Sequence, residues 1–195
     1  MKKAITVLLL ILTLALCICF TGCKRVKDDE AKEIVCTLVK ESYDLNVIYF
    51  GQGLKHDKSA EGKNGYIRVD DDALYTERKP LIAKTREIFS NSYAQSIINS
   101  TFYGTTGGID GTANFARYIS DDDGRLTIKK DSAILDTPVA VYDYSSIEIV
   151  KNSKNMIIAR LNTTNLGSNN TQVQITLVYE EYEGESAWRI DSATY

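Results

Sequence analysis

The stretch Gln172-Val173-Gln174-Ile175-Thr176-Leu177-Val178-Tyr179-Glu180-Glu181-Tyr182 alternates in polarity, with Val173, Ile175, Leu177 and Tyr179 falling on one side. A period of two sends successive side chains to opposite faces, so the segment predicts a half-buried β-strand. The same period recurs on either side of it. Val139–Val150 and Met156–Thr163 precede it, Ala187–Ser192 follows, and Asn-Ser, Gly-Ser-Asn-Asn and Glu-Gly-Glu-Ser clusters supply the breaks between strands. Further upstream, Ala116–Ser120 and Arg125–Lys129 flank Asp121-Asp122-Asp123-Gly124, a turn signal that predicts a hairpin. The second half of the chain therefore reads as an antiparallel meander.

The first half keeps a different period. From Val26 to Phe50, apolar Ala31, Ile34, Val35, Leu38, Leu45 and Ile48 recur three and four residues apart, which predicts a helix. Asp28, Asp29 and Glu30 suit its positive amino end, and Gly51 and Gly53 stop it. Residues 53–64, with the lone His56, read as a solvated loop before a short strand at Tyr66–Val69. A second helix is expected from Thr76 or Lys79 to Ser90, with Pro80 tolerated only in its first turn. Ser92 followed by Gln95 fits a capping box that reopens the helix through Tyr93, Ile97 and Ile98 to Phe102. Gly104–Asn114 holds four Gly and is expected to be loop. Helices followed by a meander predict an α+β domain with the helices on one face of the sheet.

The amino-terminal segment is an address. Lys2 and Lys3 precede an uncharged run from Ala4 to Phe20, the layout of a secretory signal. It ends in Phe20-Thr21-Gly22-Cys23, which resembles the bacterial lipobox. That resemblance implies a signal peptide over 1–22, acylation of the Cys23 thiol, a lipidated tether over 23–27 and one domain over 28–195. Lys24, Arg25 and Lys27 beyond the apolar run argue against an uncleaved anchor with its amino end inside. The expected location is the extracytoplasmic face of the cell membrane, held through lipid.

Composition narrows the function. The chain has 195 residues, 44% hydrophobic and 25% charged, as an ordinary globular domain does. Its 23 Lys plus Arg against 26 Asp plus Glu leave no basic stripe for phosphates, so nucleic acid is not an expected partner. Without Lys2 and Lys3 the balance moves from -3 to -5. Once Cys23 carries lipid, Cys36 is the one cysteine left in the domain, and the fold is expected to stand without a disulfide.

Helices followed by a meander that closes on Trp188-Arg189-Ile190-Asp191-Ser192-Ala193-Thr194-Tyr195 resemble the NTF2-like, cystatin-like α+β cone. Within that superfamily, Phe89-Ser90-Asn91-Ser92-Tyr93-Ala94 and Asp122-Asp123-Gly124-Arg125-Leu126 resemble secreted inhibitors of cell-wall DL-endopeptidases. The resemblance implies a non-catalytic protein whose protruding loop or hairpin blocks the groove of a wall hydrolase. The acidic balance would steer it to a basic surface.

The residues themselves give catalysis little support. Asp143 between Tyr142 and Tyr144 has the residue types for proton abstraction, yet strand neighbours face opposite ways. Cys36 lies within the apolar stripe of the first helix, where a thiol is expected to pack rather than react, and His56 is expected at the surface. The triplets Asp70–Asp72 and Asp121–Asp123 lack the layout of a calcium loop, and Gly107–Gly111 lacks the Lys of a phosphate loop. No cofactor or metal is expected. Candidate partner-binding residues are Tyr103, Asp110 and Asn114 in the Gly-rich segment and Asp121, Asp122 and Asp123 in the hairpin. Two alternatives stand beside this reading: a small-molecule or glycan-binding module using the cone as a pocket, and a cone-type enzyme.

Overall fold

The computed structural model describes residues 25–104, 115–130, 139–164 and 171–194. Among these are three helices, α1 (Asp28–Phe50), α2 (Arg78–Ile88) and α3 (Asn91–Phe102). Seven strands accompany them: β1 (Tyr66–Arg68), β2 (Tyr118–Ser120), β3 (Leu126–Lys129), β4 (Tyr142–Asn152), β5 (Met156–Thr163), β6 (Gln172–Tyr182) and β7 (Glu185–Ile190). The fold is mixed α+β, with two open antiparallel sheets ordered β1-β3-β2 and β4-β5-β6-β7. No described helix is long and apolar enough to cross a membrane. Cys23, Asp110 and Asn114 lie outside the described residues.

Two sheets replace the single meander expected from the sequence. The hairpin β2–β3 does not join β4; its free edge is taken by β1, with Tyr66 opposite Lys129 and Arg68 opposite Thr127. That pairing spans two intervening helices, so no local period announces it. The later strands do form a meander in chain order, and β5 and β6 begin and end where alternation places them.

The larger sheet buries one face against α1. Ile157, Ala159, Leu161, Ile175, Leu177 and Ile190 are fully enclosed, as are Ala31 and Val35 on the helix. Each large aliphatic side chain so enclosed contributes about 1.5–3 kcal/mol relative to leaving it in water. Cys36 is half-buried at the flank of this core. The β6–β7 connection is the two-residue turn Glu183-Gly184, both at positive φ, so pairing starts at once with Tyr182 opposite Glu185. For that reason β7 runs 185–190 rather than 187–192. β4 starts at Tyr142 and ends at Asn152, with register shifts between Asp143 and Glu148 and between Ile149 and Lys151.

The helix ends also depart from expectation. α1 starts at Asp28, and Val26 is buried in the extended approach to it. The cap of α3 is Ser90, not Ser92: its hydroxyl accepts from the Tyr93 N–H at 3.2 Å, and Gln95 bonds forward to Asn99. α2 ends at Ile88, since Phe89 is extended and bridges Ile190, while the Ser90 N–H donates to the Ile190 carbonyl at 2.8 Å. This link meets β7 at its last residue, Ile190.

The small sheet is docked on the carboxyl end of α1. The Tyr118 hydroxyl donates to the Ile48 carbonyl at 3.0 Å and accepts from the Leu54 N–H at 2.8 Å. Arg117, only 8% exposed, donates to the Gly51 carbonyl at 2.8 Å. α1 has no basic residue in its own last turn, so Arg117 brings the positive charge that its negative end favours.

Candidate functional site

Asp121–Asp123 sit at the tip of the β2–β3 hairpin. Oδ1 of Asp121 accepts from the N–H groups of Asp123 and Arg125, at 3.0 and 2.9 Å, which winds the turn around one carboxylate. Gly124 follows at φ 80, a conformation open to Gly without strain. The other oxygen of Asp121 accepts from Arg68 Nε at 2.8 Å, and the same guanidinium pairs with Asp123. Lys63 approaches Asp122 at 3.4 Å. Arg68 projects from β1, so the non-local strand pairing is what delivers it to the turn.

The second acidic triplet is tied in the same manner. Lys55 reaches Asp72 at 2.5 Å and Asp70 at 3.6 Å, and Arg125 reaches Asp71 at 2.6 Å. Both triplets are thereby engaged with cations from other segments.

Between the 57–63 loop and the 121–123 turn lies a cleft of about 460 Å³, floored by Tyr66, Arg68 and Thr127. Its lining carries five carboxylates, Asp57, Glu61 and Asp121–Asp123, against two cations, Lys63 and Arg68. Local desolvation acts to raise the Asp121 carboxyl, and Arg68 together with the backbone N–H groups outweighs it and holds the group below its ordinary value. The side-chain and backbone hydrogen bonds of Ser59 depress Asp57. Groups shifted this way stay ionised at neutral pH and accept hydrogen bonds; a general base is tuned the other way, towards neutrality. The cleft suits an ammonium or guanidinium group.

Of the residues singled out from the sequence, Asp121, Asp122 and Asp123 come together here. Tyr103 does not line the cleft: it ends α3, 68% exposed, with the Arg78 guanidinium 4.7 Å from its ring and 4.5 Å from that of Phe102. His56 is half-buried rather than a free surface residue, because its Nδ1 meets the Leu54 carbonyl at 2.8 Å and its backbone bridges Val69. Cys36 lies midway along α1 and His56 beyond its carboxyl end, on separate parts of the fold. Asp143 turns back on its own strand, accepting from the Ser145 N–H at 3.0 Å and its hydroxyl at 2.5 Å. Tyr142 is buried, which pushes its phenol up to about 12.

Sequence reasoning missed Arg68, Lys63, Tyr66, Asp57 and Glu61. The alternation of Tyr66-Ile67-Arg68-Val69 does place Tyr66 and Arg68 on one face, opposite buried Ile67 and Val69. What that face meets depends on the partner strand, which alternation cannot name. Comparison of the chain with protein-family models, with curated proteins and with solved structures gave no match.

Proposed function

We propose that this chain is a lipid-anchored binding protein of the extracytoplasmic membrane face, non-catalytic, with an NTF2-like cone. Acylated at Cys23, it restrains cell-wall DL-endopeptidases by presenting the Asp121–Asp123 hairpin to a basic surface beside their groove. The observation that carries this reading is the clamp of Arg68 on Asp121 and Asp123, which holds the turn in one shape at the rim of an acid-rich cleft. A pre-shaped loop loses little conformational freedom on binding, which favours affinity. The face of the larger sheet that packs on α1 is closed by apolar side chains, which supports a protein partner at the loops over a ligand held within the sheet.

The test is wall digestion. Residues 24–195, incubated with a panel of DL-endopeptidases and peptidoglycan, are expected to slow digestion by at least one of them; unchanged digestion across the panel rejects the proposal. The volume of the cleft favours a second reading, a small basic ligand, since it falls in the range of small-molecule sites. Chemical shift changes confined to the cleft on adding a small amine, without any effect on digestion, would select that reading instead.

A further inference from the structure

The chain enters β1 through a two-residue turn, Asn64-Gly65. Both residues have positive φ, 55° and 79°, and the Tyr66 N–H closes the turn by donating to the Lys63 carbonyl at 3.0 Å. Asn-Gly is the pair such a turn prefers, since each position must enter the left-handed region. Both residues are exposed, and a Cβ on Gly65 would meet nothing within 4 Å. Among the described residues, no hydrogen bond engages the Asn64 side chain or the Gly65 N–H. An unshielded backbone nitrogen therefore follows an unshielded carboxamide.

We propose that Asn64 is a site of spontaneous covalent change, at which its side chain cyclises onto the Gly65 nitrogen and loses ammonia. The deprotonated Gly65 nitrogen attacks Asn64 Cγ, an N–C bond forms, and the side-chain nitrogen departs as ammonia, leaving a succinimide. Water then opens the ring. Cleavage of the new bond leaves an aspartate; cleavage of the original peptide bond leaves an isoaspartate, whose main chain runs through the side chain. The net change is hydrolysis of one amide, with nothing oxidised or reduced. Gly65 has no Cβ to hinder the attack. Asn-Gly occurs once in the chain, whereas Asn91, Asn99 and Asn152 precede Ser and lie in α3 or β4. A single bond closes the turn, and exposed turns of this kind open at little cost. Either product sets a new carboxylate beside Lys63, whose ammonium lies 3.4 Å from Asp122, and the two acids compete for it. Isoaspartate also adds a methylene to the main chain just before β1, where the pairing of Tyr66 with Lys129 sets the register that brings Arg68 to the hairpin.

The change is read by mass spectrometry. The full chain is held in warm, mildly alkaline buffer and digested with trypsin, which cuts after Lys63 and Arg68 and releases residues 64–68 as one peptide. Its amide, aspartate and isoaspartate forms are separated by chromatography and told apart by mass and fragmentation. Asn64 is expected to convert ahead of Asn91, Asn99 and Asn152, faster as pH rises, with isoaspartate among the products. Gly65→Ala is expected to slow the conversion several-fold. A urea-unfolded sample run alongside gives the rate of the bare sequence. Folded protein whose Asn64 stays intact while the unfolded chain converts overturns the proposal, as does conversion that is equally fast in Gly65→Ala. Should Gly65→Ala not fold, Asn64→Gln, whose longer side chain cyclises far more slowly, serves the same comparison.

Discussion

Asn46, in the last quarter of α1, donates its side-chain amide to Thr194 twice, at 2.8 Å to the carbonyl and at 2.8 Å to the hydroxyl. Thr194 has no exposed surface, and Ser42 donates to its hydroxyl at 3.3 Å. The segment after β7 is thereby fastened inside the molecule through buried polar groups. Asn46→Ala would leave two buried oxygens of Thr194 without this donor, a loss of about 1–3 kcal/mol. Urea denaturation is expected to show a lower midpoint with an unchanged slope; an unchanged midpoint would mean that the bonds are replaced by water.

Gly53 and Gly65 both have positive φ, 86° and 79°, yet differ in surroundings. A Cβ on Gly53 would meet Ile128 Cδ1 at 2.6 Å, Arg117 Nη2 at 2.7 Å and the Tyr118 hydroxyl at 2.9 Å, while a Cβ on Gly65 would meet nothing within 4 Å. Gly65→Ala is expected to cost about 1–2 kcal/mol, the backbone share alone. Gly53→Ala adds overpacking at the joint between α1 and the small sheet, for roughly 2–5 kcal/mol in all. Comparison of the two midpoints in one denaturant series decides the point.

Acid should loosen the hairpin. Asp121 is held below the ordinary carboxyl value of 3.8. A group lowered in the folded state lends stability that is complete above its unfolded value and is lost as pH falls through the folded one. The loss therefore falls below pH 3.8 and not near neutrality. Asp121→Ala is expected to flatten the stability profile in that acid window, as measured by thermal unfolding at stepped pH. An equally steep profile in the variant would place the acid sensitivity elsewhere.

Asp122 is the most exposed carboxylate of the turn, with 95% of its side chain accessible, and it carries the weakest ion pair there. If the proposed function holds, Asp122→Lys should leave the fold intact and slow association with a basic hydrolase. Rim charges act mainly on the association rate, and salt screens them. The difference between wild type and variant in a stopped-flow binding experiment should shrink as salt rises; a difference independent of salt would point to direct packing instead.

Legibility in the sequence followed the range of the interactions. β5 and β6 are set by alternation against a single core, and their limits agree with the pattern residue by residue. α3 opens two residues earlier than the capping box suggests, because Ser90 also meets Asp191 and the Ile190 carbonyl, contacts made across the fold. The acidic turn could be located from Asp121–Gly124 alone, whereas its counterpart Arg68 lies 53 residues away in sequence. Half of the site was local and legible; the other half depends on β1 pairing with β3.

The two register shifts in β4 bear on self-association. Among the described residues, Phe89 and Ser90 meet β7 at its last residue, Ile190, and β4 is the other margin of the larger sheet. A long straight margin would template strand-to-strand association between neighbouring copies. The register shifts at 143–148 and 149–151 interrupt the regular course of the strand, and an irregular margin is a poor template for a second chain.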